Sequence, residues 1–122
     1  MSLDRISAET TVEGVFVPEV ADAAIAESLG SHAPEAAGFL KALSHEGRLM
    51  ILCHLAAGER SVTELEELLG SRQAAVSQQL ARLRLEGLVA TRREGKAIFY
   101  SIQDAKVLQT IRLLQGLYVR AA

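Results

Sequence analysis

Along most of this chain the apolar residues return every three or four positions, the spacing of a helix face; between Gly87 and Asp104 they do not. The pattern predicts a helix over Glu19–Leu29, which follows Pro18 and stops at Gly30. After a break at residues 31–34, Pro34 opens a second helix to about Ser44, with Ala37, Leu40 and Leu43 at core spacing. A third, Glu46–Ala57, distributes Leu49, Ile51, Leu52, Cys53 and Leu55 almost all round, as a buried helix does, and stops at Gly58. Ser61-Val62-Thr63-Glu64 has the form of a capping box, in which the Ser61 hydroxyl accepts from the Glu64 N–H and the Glu64 carboxylate reaches back. The short helix it starts, VTELEELL, turns Val62, Leu65, Leu68 and Leu69 inward and ends at Gly70. Ser71 caps the next, Arg72–Glu86, whose apolar set is Ala75, Val76, Leu80 and Leu83. Gly87 closes it. LVATRRE and AIFYSIQ then alternate as strands about the turn-prone Glu94-Gly95-Lys96. Asp104 caps a last helix to about Tyr118, with Val107, Leu108, Ile111, Leu114 and Leu117 as a long apolar stripe.

The first 17 residues carry no helical period, and a mobile arm is expected there, leaving residues 18–122 as the folded domain. The predicted class is mainly α with a β-hairpin, in the order α-α-α-α-α-β-β-α. Two short helices separated by only Gly70-Ser71 and followed at once by a hairpin make a winged helix-turn-helix.

Composition changes little in this picture. At 122 residues, 49% hydrophobic and 23% charged, the chain has the makeup of a globular domain. No apolar run approaches the ~20 residues that cross a bilayer, and no signal peptide is visible, so no membrane partner is expected. A single cysteine, Cys53, cannot form an intrachain disulfide, and the cytoplasm is the expected compartment. The formal charge of −2 conceals a polarity. Residues 1–40 hold seven acids against Arg5 alone, whereas residues 72–96 hold six bases against Glu86 and Glu94.

The second helix of the pair offers Gln73, Ser77, Gln78 and Gln79, hydrogen-bonding groups without negative charge. Gln can pair with adenine N6/N7, and Ser can serve either base. Arg92 and Arg93 on one strand and Lys96 at the hairpin tip suit phosphate contact or a minor groove. With Ser61 and Arg72 these complete the candidate DNA-binding set. The same features also describe a solvated helix face and a solubilising hairpin, so a protein-interaction module without DNA remains the alternative. It would be favoured if Arg72, Arg92, Arg93 and Lys96 faced inward or toward a dimer partner. No Ser–His–Asp order, carboxylate pair or phosphate loop can be assembled, so neither an enzyme nor a cofactor is expected.

The stretch ALSHEGRLMILCHLAAGERSVTELEELLGSRQAAVSQQLARLRLEGLVATRREGKAIFYSI resembles the core of the ArsR/SmtB family of bacterial repressors. AVSQQLARLRLEGLV is similar to the family's recognition helix and RREGKAIFYSI to its wing. The resemblance covers about residues 35–118 and implies a homodimeric repressor of operator DNA. Its interface would be formed by the last helix and the first core helix. Gln79 stands where His is common, which bears on base preference.

The family's metal sites can be checked position by position. Ser61 and Thr63 stand where one site needs thiolates, and hydroxyls are poor ligands for soft metals. At the other, Asp104 is present, but Lys106, Leu117 and Arg120 occupy the partner positions, so no metal is expected. His32, His45 and His54 read as surface or capping residues. KALSHEGRLMILCHL with RQAAVSQQLARLRLEGLV resembles the dithiol subgroup that responds to reactive sulfur species and oxidants. Cys53 stands at its first cysteine position and Val119 at about the second. A sulfur bridge needs two sulfurs. Three readings therefore stay open: loss of dithiol sensing, engineered removal of the second thiol, or sensing by Cys53 alone. An ArsR-type repressor with another effector is a further alternative.

Overall fold

The computed structural model of the chain describes residues 10–12, 15–17, 24–70 and 73–119. Its elements are β1 (Thr10–Val12), β2 (Val15–Val17), α1 (Ile25–Gly30), α2 (Ala33–Leu43), α3 (Glu46–Leu55), β3 (Arg60–Ser61), α4 (Val62–Leu69), α5 (Gln73–Leu85), β4 (Val89–Glu94), β5 (Ala97–Ile102) and α6 (Ala105–Tyr118). They divide between two compact units, Met1–Ala37 with Thr110–Ala122, and Gly38–Gln109. Among the described residues no helix is long and apolar enough to cross a membrane.

In the first unit β1 and β2 pair antiparallel, Thr10 with Val17, Thr11 with Phe16 and Val12 with Val15. These two short strands fall within the segment read from the sequence as a mobile arm without a helical period. The β-branched and aromatic residues of TTV and VFV favour a pleated backbone, and three-residue strands are too short to show a period. Pro18 and the predicted first half of the helix after it lie outside the described residues; α1 begins at Ile25. Ile25 and Leu29 are 45% and 49% exposed, and on the end of α6 Leu113, Tyr118 and Val119 are 46%, 81% and 62% exposed. Ile111, Leu114 and Leu117, of the long apolar stripe, are half-buried.

The second unit is built on its caps. Ser61 Oγ accepts from the Glu64 N–H at 3.1 Å, and Glu64 Oε1 accepts from the Ser61 N–H at 2.8 Å, so both halves of the capping box form. Gly70 takes φ 64° and ψ 28°, a left-handed conformation that a Cβ resists, and its N–H returns to the Glu66 carbonyl. α5 ends in a Schellman pair, with the Gly87 N–H on the Arg84 carbonyl and the Leu88 N–H on the Leu83 carbonyl. Asp104 Oδ1 accepts from the Lys106 N–H at 2.9 Å at the head of α6. The cap expected at Ser71 lies outside the described residues.

These helices bury one core: Ala42, Leu43, Ile51, Leu52, Leu55, Leu65, Val76, Leu80, Leu83, Leu88, Val89 and Val107. Eight residues expected inside are outside it: Leu49, Cys53, Val62 and Leu69 are half-buried, and four more are exposed. Ala37 and Ala75 are exposed, and Leu40 and Leu68 are 60% and 46% exposed. Spacing selects a face but not its edges, and these sit at the edges. The sheet runs β3-β5-β4, with Arg60 and Ser61 facing Tyr100 and Phe99, and Val89 to Glu94 facing Ile102 to Ala97. The hairpin turns at Gly95, φ 62°, the left-handed geometry of a two-residue loop. The extra strand β3 is two residues long and ties the hairpin to the head of α4.

Candidate nucleic-acid interface

Gly70, left-handed, ends α4, and α5 begins three residues later at Gln73. Val76, Leu80 and Leu83 bury one side of α5 at 2% exposure or less. Ser77 and Gln78 project from the other side and are exposed. The first turn of α5 holds no acid. Arg72, and the side chain of Gln73, lie outside the described residues.

Gln79 departs from expectation. It is half-buried, and its Oε1 accepts from Arg48 Nη1 at 3.1 Å. Its Nε2 lies 3.5 Å from His45 Nε2. The free amide expected at this position is occupied inside the fold. His45 itself caps α3, its Nδ1 accepting from the Gly47 and Arg48 N–H groups at 3.0 and 3.4 Å. Gly47 leaves room for that ring, since a Cβ there would come within 3.0 Å of His45 Cε1.

The wing shows a parallel departure. Arg92 is not a free cation: its Nε and Nη2 both donate to the Glu59 carboxylate at 2.8 Å, and Nη1 donates to Glu94 at 3.3 Å. Its guanidinium also lies 4.8 Å from the centre of the Phe99 ring, within cation–π range. The hydrogen bond from Arg92 holds the Glu59 carboxyl below the usual carboxylate range, and the same bond raises Arg92. On α5, Arg82 pairs with Glu86 at 3.2 Å. Among the described residues Arg84, Arg93 and Lys96 have no ion-pair partner, and all three are exposed. Lys96 sits in the turn and Arg93 one residue after Arg92 on β4, so the unpaired wing charge is concentrated near the tip. Ser61 is half-buried and its hydroxyl already accepts a backbone hydrogen bond, which leaves its own proton available.

Cys53 is free and half-buried, and burial pushes its thiol up from the ordinary range. His32 pairs with Glu35 at 3.3 Å across one helical turn. Among the described residues no three His, Cys, Asp or Glu side chains are gathered as a metal site.

A helix-turn-helix whose second helix starts without an acid, followed by a basic hairpin, defines the class: a winged helix-turn-helix protein. The sequence profile of the bacterial regulatory protein arsR family matches residues 45–91. A biofilm growth-associated repressor of Xylella fastidiosa is 46% identical over 92 residues, covering 75% of this chain and 81% of that protein. The transcriptional activator HlyU of Vibrio cholerae is 42% identical over 95 residues, covering 78% and 88%. Among solved structures, the transcriptional repressor BigR of Xylella fastidiosa aligns with a TM-score of 0.75 at 44% identity, covering 78% of this chain and 97% of that one. This chain belongs to the arsR family of bacterial regulatory proteins, a family of DNA-binding transcription regulators and not of enzymes.

Proposed function

We propose that this protein is a homodimeric repressor that lays α5 in the major groove of operator DNA and steadies it with the wing. The observation that carries the reading is the exposed, acid-free start of α5 opposite a fully buried side. Ser77 and Gln78, with Gln73, are the base-edge readers, and Arg93, Lys96, Arg72 and the Ser61 hydroxyl meet phosphate. The second copy is supported by exposed Ile25, Leu29, Leu113 and Tyr118, apolar surface that a lone small chain leaves in water at a cost. Repression follows if the bound dimer occupies promoter DNA. The test is selection of duplexes from a random pool, followed by affinity measurement. Ser77→Ala and Gln78→Ala should each lower discrimination by roughly 1–3 kcal/mol and leave affinity for random DNA nearly unchanged. Equal losses on both DNAs would sink the assignment.

The sulfur response of the dithiol subgroup is reduced here to one group. Thiolates attack polysulfides, and a thiol whose ionisation is disfavoured by burial attacks slowly. With Val119 at the second position, no bridge closes within a chain. DNA binding should therefore persist through persulfide treatment, whereas Val119→Cys should confer a loss of binding that reductant reverses. Release of DNA by the unaltered chain, abolished by Cys53→Ser, would establish a one-cysteine sensor instead.

A further inference from the structure

A helix that reads base edges must be held to within a fraction of an ångström, and in this chain one guanidinium spans the distance needed to hold it. Arg48, in the first turn of α3, is half-buried and donates in three directions. Nε reaches the Ala42 carbonyl at 2.7 Å, Nη2 the Lys41 carbonyl at 3.3 Å, and Nη1 the Gln79 Oε1 at 3.1 Å. Lys41 and Ala42 are in the last turn of α2, where carbonyls lack partners within the helix. The Lys41 carbonyl also accepts from the N–H and hydroxyl of Ser44. The α2–α3 corner is thus closed by Arg48 and joined through it to α5.

Gln79 has little freedom to do otherwise. A guanidinium offers only donors, so Oε1 must face Arg48; the amide nitrogen is left beside His45 Nε2, which cannot accept from it, because His45 Nδ1 is already the ring's acceptor. Ser77 and Gln78, the two residues before it, have no such anchor and are exposed.

We propose that Arg48 is the positioning residue of the DNA-reading helix, and that Gln79 is its handle on α5 rather than a base reader. The assignment rests on α5 being the helix that reads DNA. Sequence preference then depends on a side chain that touches no base. Readout by short hydrogen bonds is sensitive to a small rotation of α5, whereas phosphate contact by long, flexible cations is not. Lysine cannot substitute, because a single ammonium does not reproduce the planar fork that serves three acceptors at once.

The test uses the full-length protein, a duplex selected by it from a random pool, and unselected duplex, each across a salt series. Arg48→Lys and Gln79→Ala should each lower the selected-over-random affinity ratio about tenfold, as expected for losing a hydrogen bond to a charged group. The double variant should lose no more than either single variant, and the salt slopes should not change. Loss of preference in Gln79→Ala but not in Arg48→Lys would make Gln79 a base reader and overturn the proposal. So would losses that multiply in the double variant, or a flattened slope in Arg48→Lys. Amide hydrogen exchange along α5 reads the tie without DNA. Gln79→Ala should speed exchange, and Gln79→Glu, which retains an acceptor for Arg48, should not; the same exchange in both would overturn it. A protein that selects no sequence at all, yet shows this exchange pattern, would refute the operator reading while leaving the tie intact.

Discussion

The wing and the outward side of α5 both present polar side chains to solvent, and in each the fold has taken one of them for itself. On the wing it is Arg92, held by two 2.8 Å bonds to Glu59 and by Glu94. On α5 it is Gln79, held by Arg48. The two captures differ in their surroundings. Arg92 and Glu59 are solvated, so water and salt screen the pair, and an incoming phosphate can compete for the same fork of donors. Gln79 is half-buried against a guanidinium that also donates to two backbone carbonyls. The wing therefore holds a cation in reserve, whereas the helix has converted a reader into an anchor.

The largest effect should come from the buried side of α5, where no polar role is at stake. Leu80→Ala removes a side chain with no exposure from beneath the outward face, and should cost about 2–5 kcal/mol of unfolding free energy. Chemical denaturation measures it. DNA affinity and preference should fall together, since the helix loses its seat. Preference lost with stability unchanged would place Leu80 outside the core that supports the helix.

The wing comes next. Arg93→Ala and Lys96→Ala should weaken binding to every sequence alike and flatten the dependence of log K on log salt by about one unit each. Arg92→Ala should flatten it less, because in the free protein part of its charge is already balanced by Glu59. Equal flattening by all three would mean that DNA fully displaces Glu59.

How far these roles were legible in the sequence depends on whether the determining partner is near in the chain. The capping box at Ser61, the stop at Gly70, the turn at Gly95 and the cap at Asp104 each involve residues within about four positions, and composition marks them. The helix pair and hairpin follow, and with them the region of the candidate interface. The individual availability of its residues does not. Arg48 and Gln79 are 31 positions apart, and Arg92 and Glu59 are 33 apart. No local period encodes such pairs. Strand β3 escaped for a related reason, since two residues have no alternation and exist as a strand only because β5 is beside them. The β1–β2 hairpin was closer to legible: β-branched residues flank Glu13-Gly14, but three residues a side give too little pattern to weigh.

The smallest effect should come from Glu59, and its sign separates the two surfaces. Glu59→Gln removes the carboxylate while keeping a side chain of similar shape, which frees the Arg92 fork. Affinity for all DNA should rise modestly, and the salt dependence should steepen by a fraction of one unit, the reverse of the Arg93 and Lys96 variants. Neutralising an acceptor on the α5 side of the molecule has no counterpart, because Gln79 is already uncharged. The pH dependence of stability gives a second measure. Hydrogen bonding from Arg92 lowers the Glu59 carboxyl in the folded state. Its contribution is therefore present above the unfolded glutamate range and is lost as pH falls through the lower folded value. The stability difference between the native chain and Glu59→Gln should accordingly shrink on acidification, within a range below that of an ordinary glutamate. If Glu59→Gln left affinity and salt slope unchanged, Arg92 would not meet phosphate, and its role would be to brace the wing through Phe99 and Glu94.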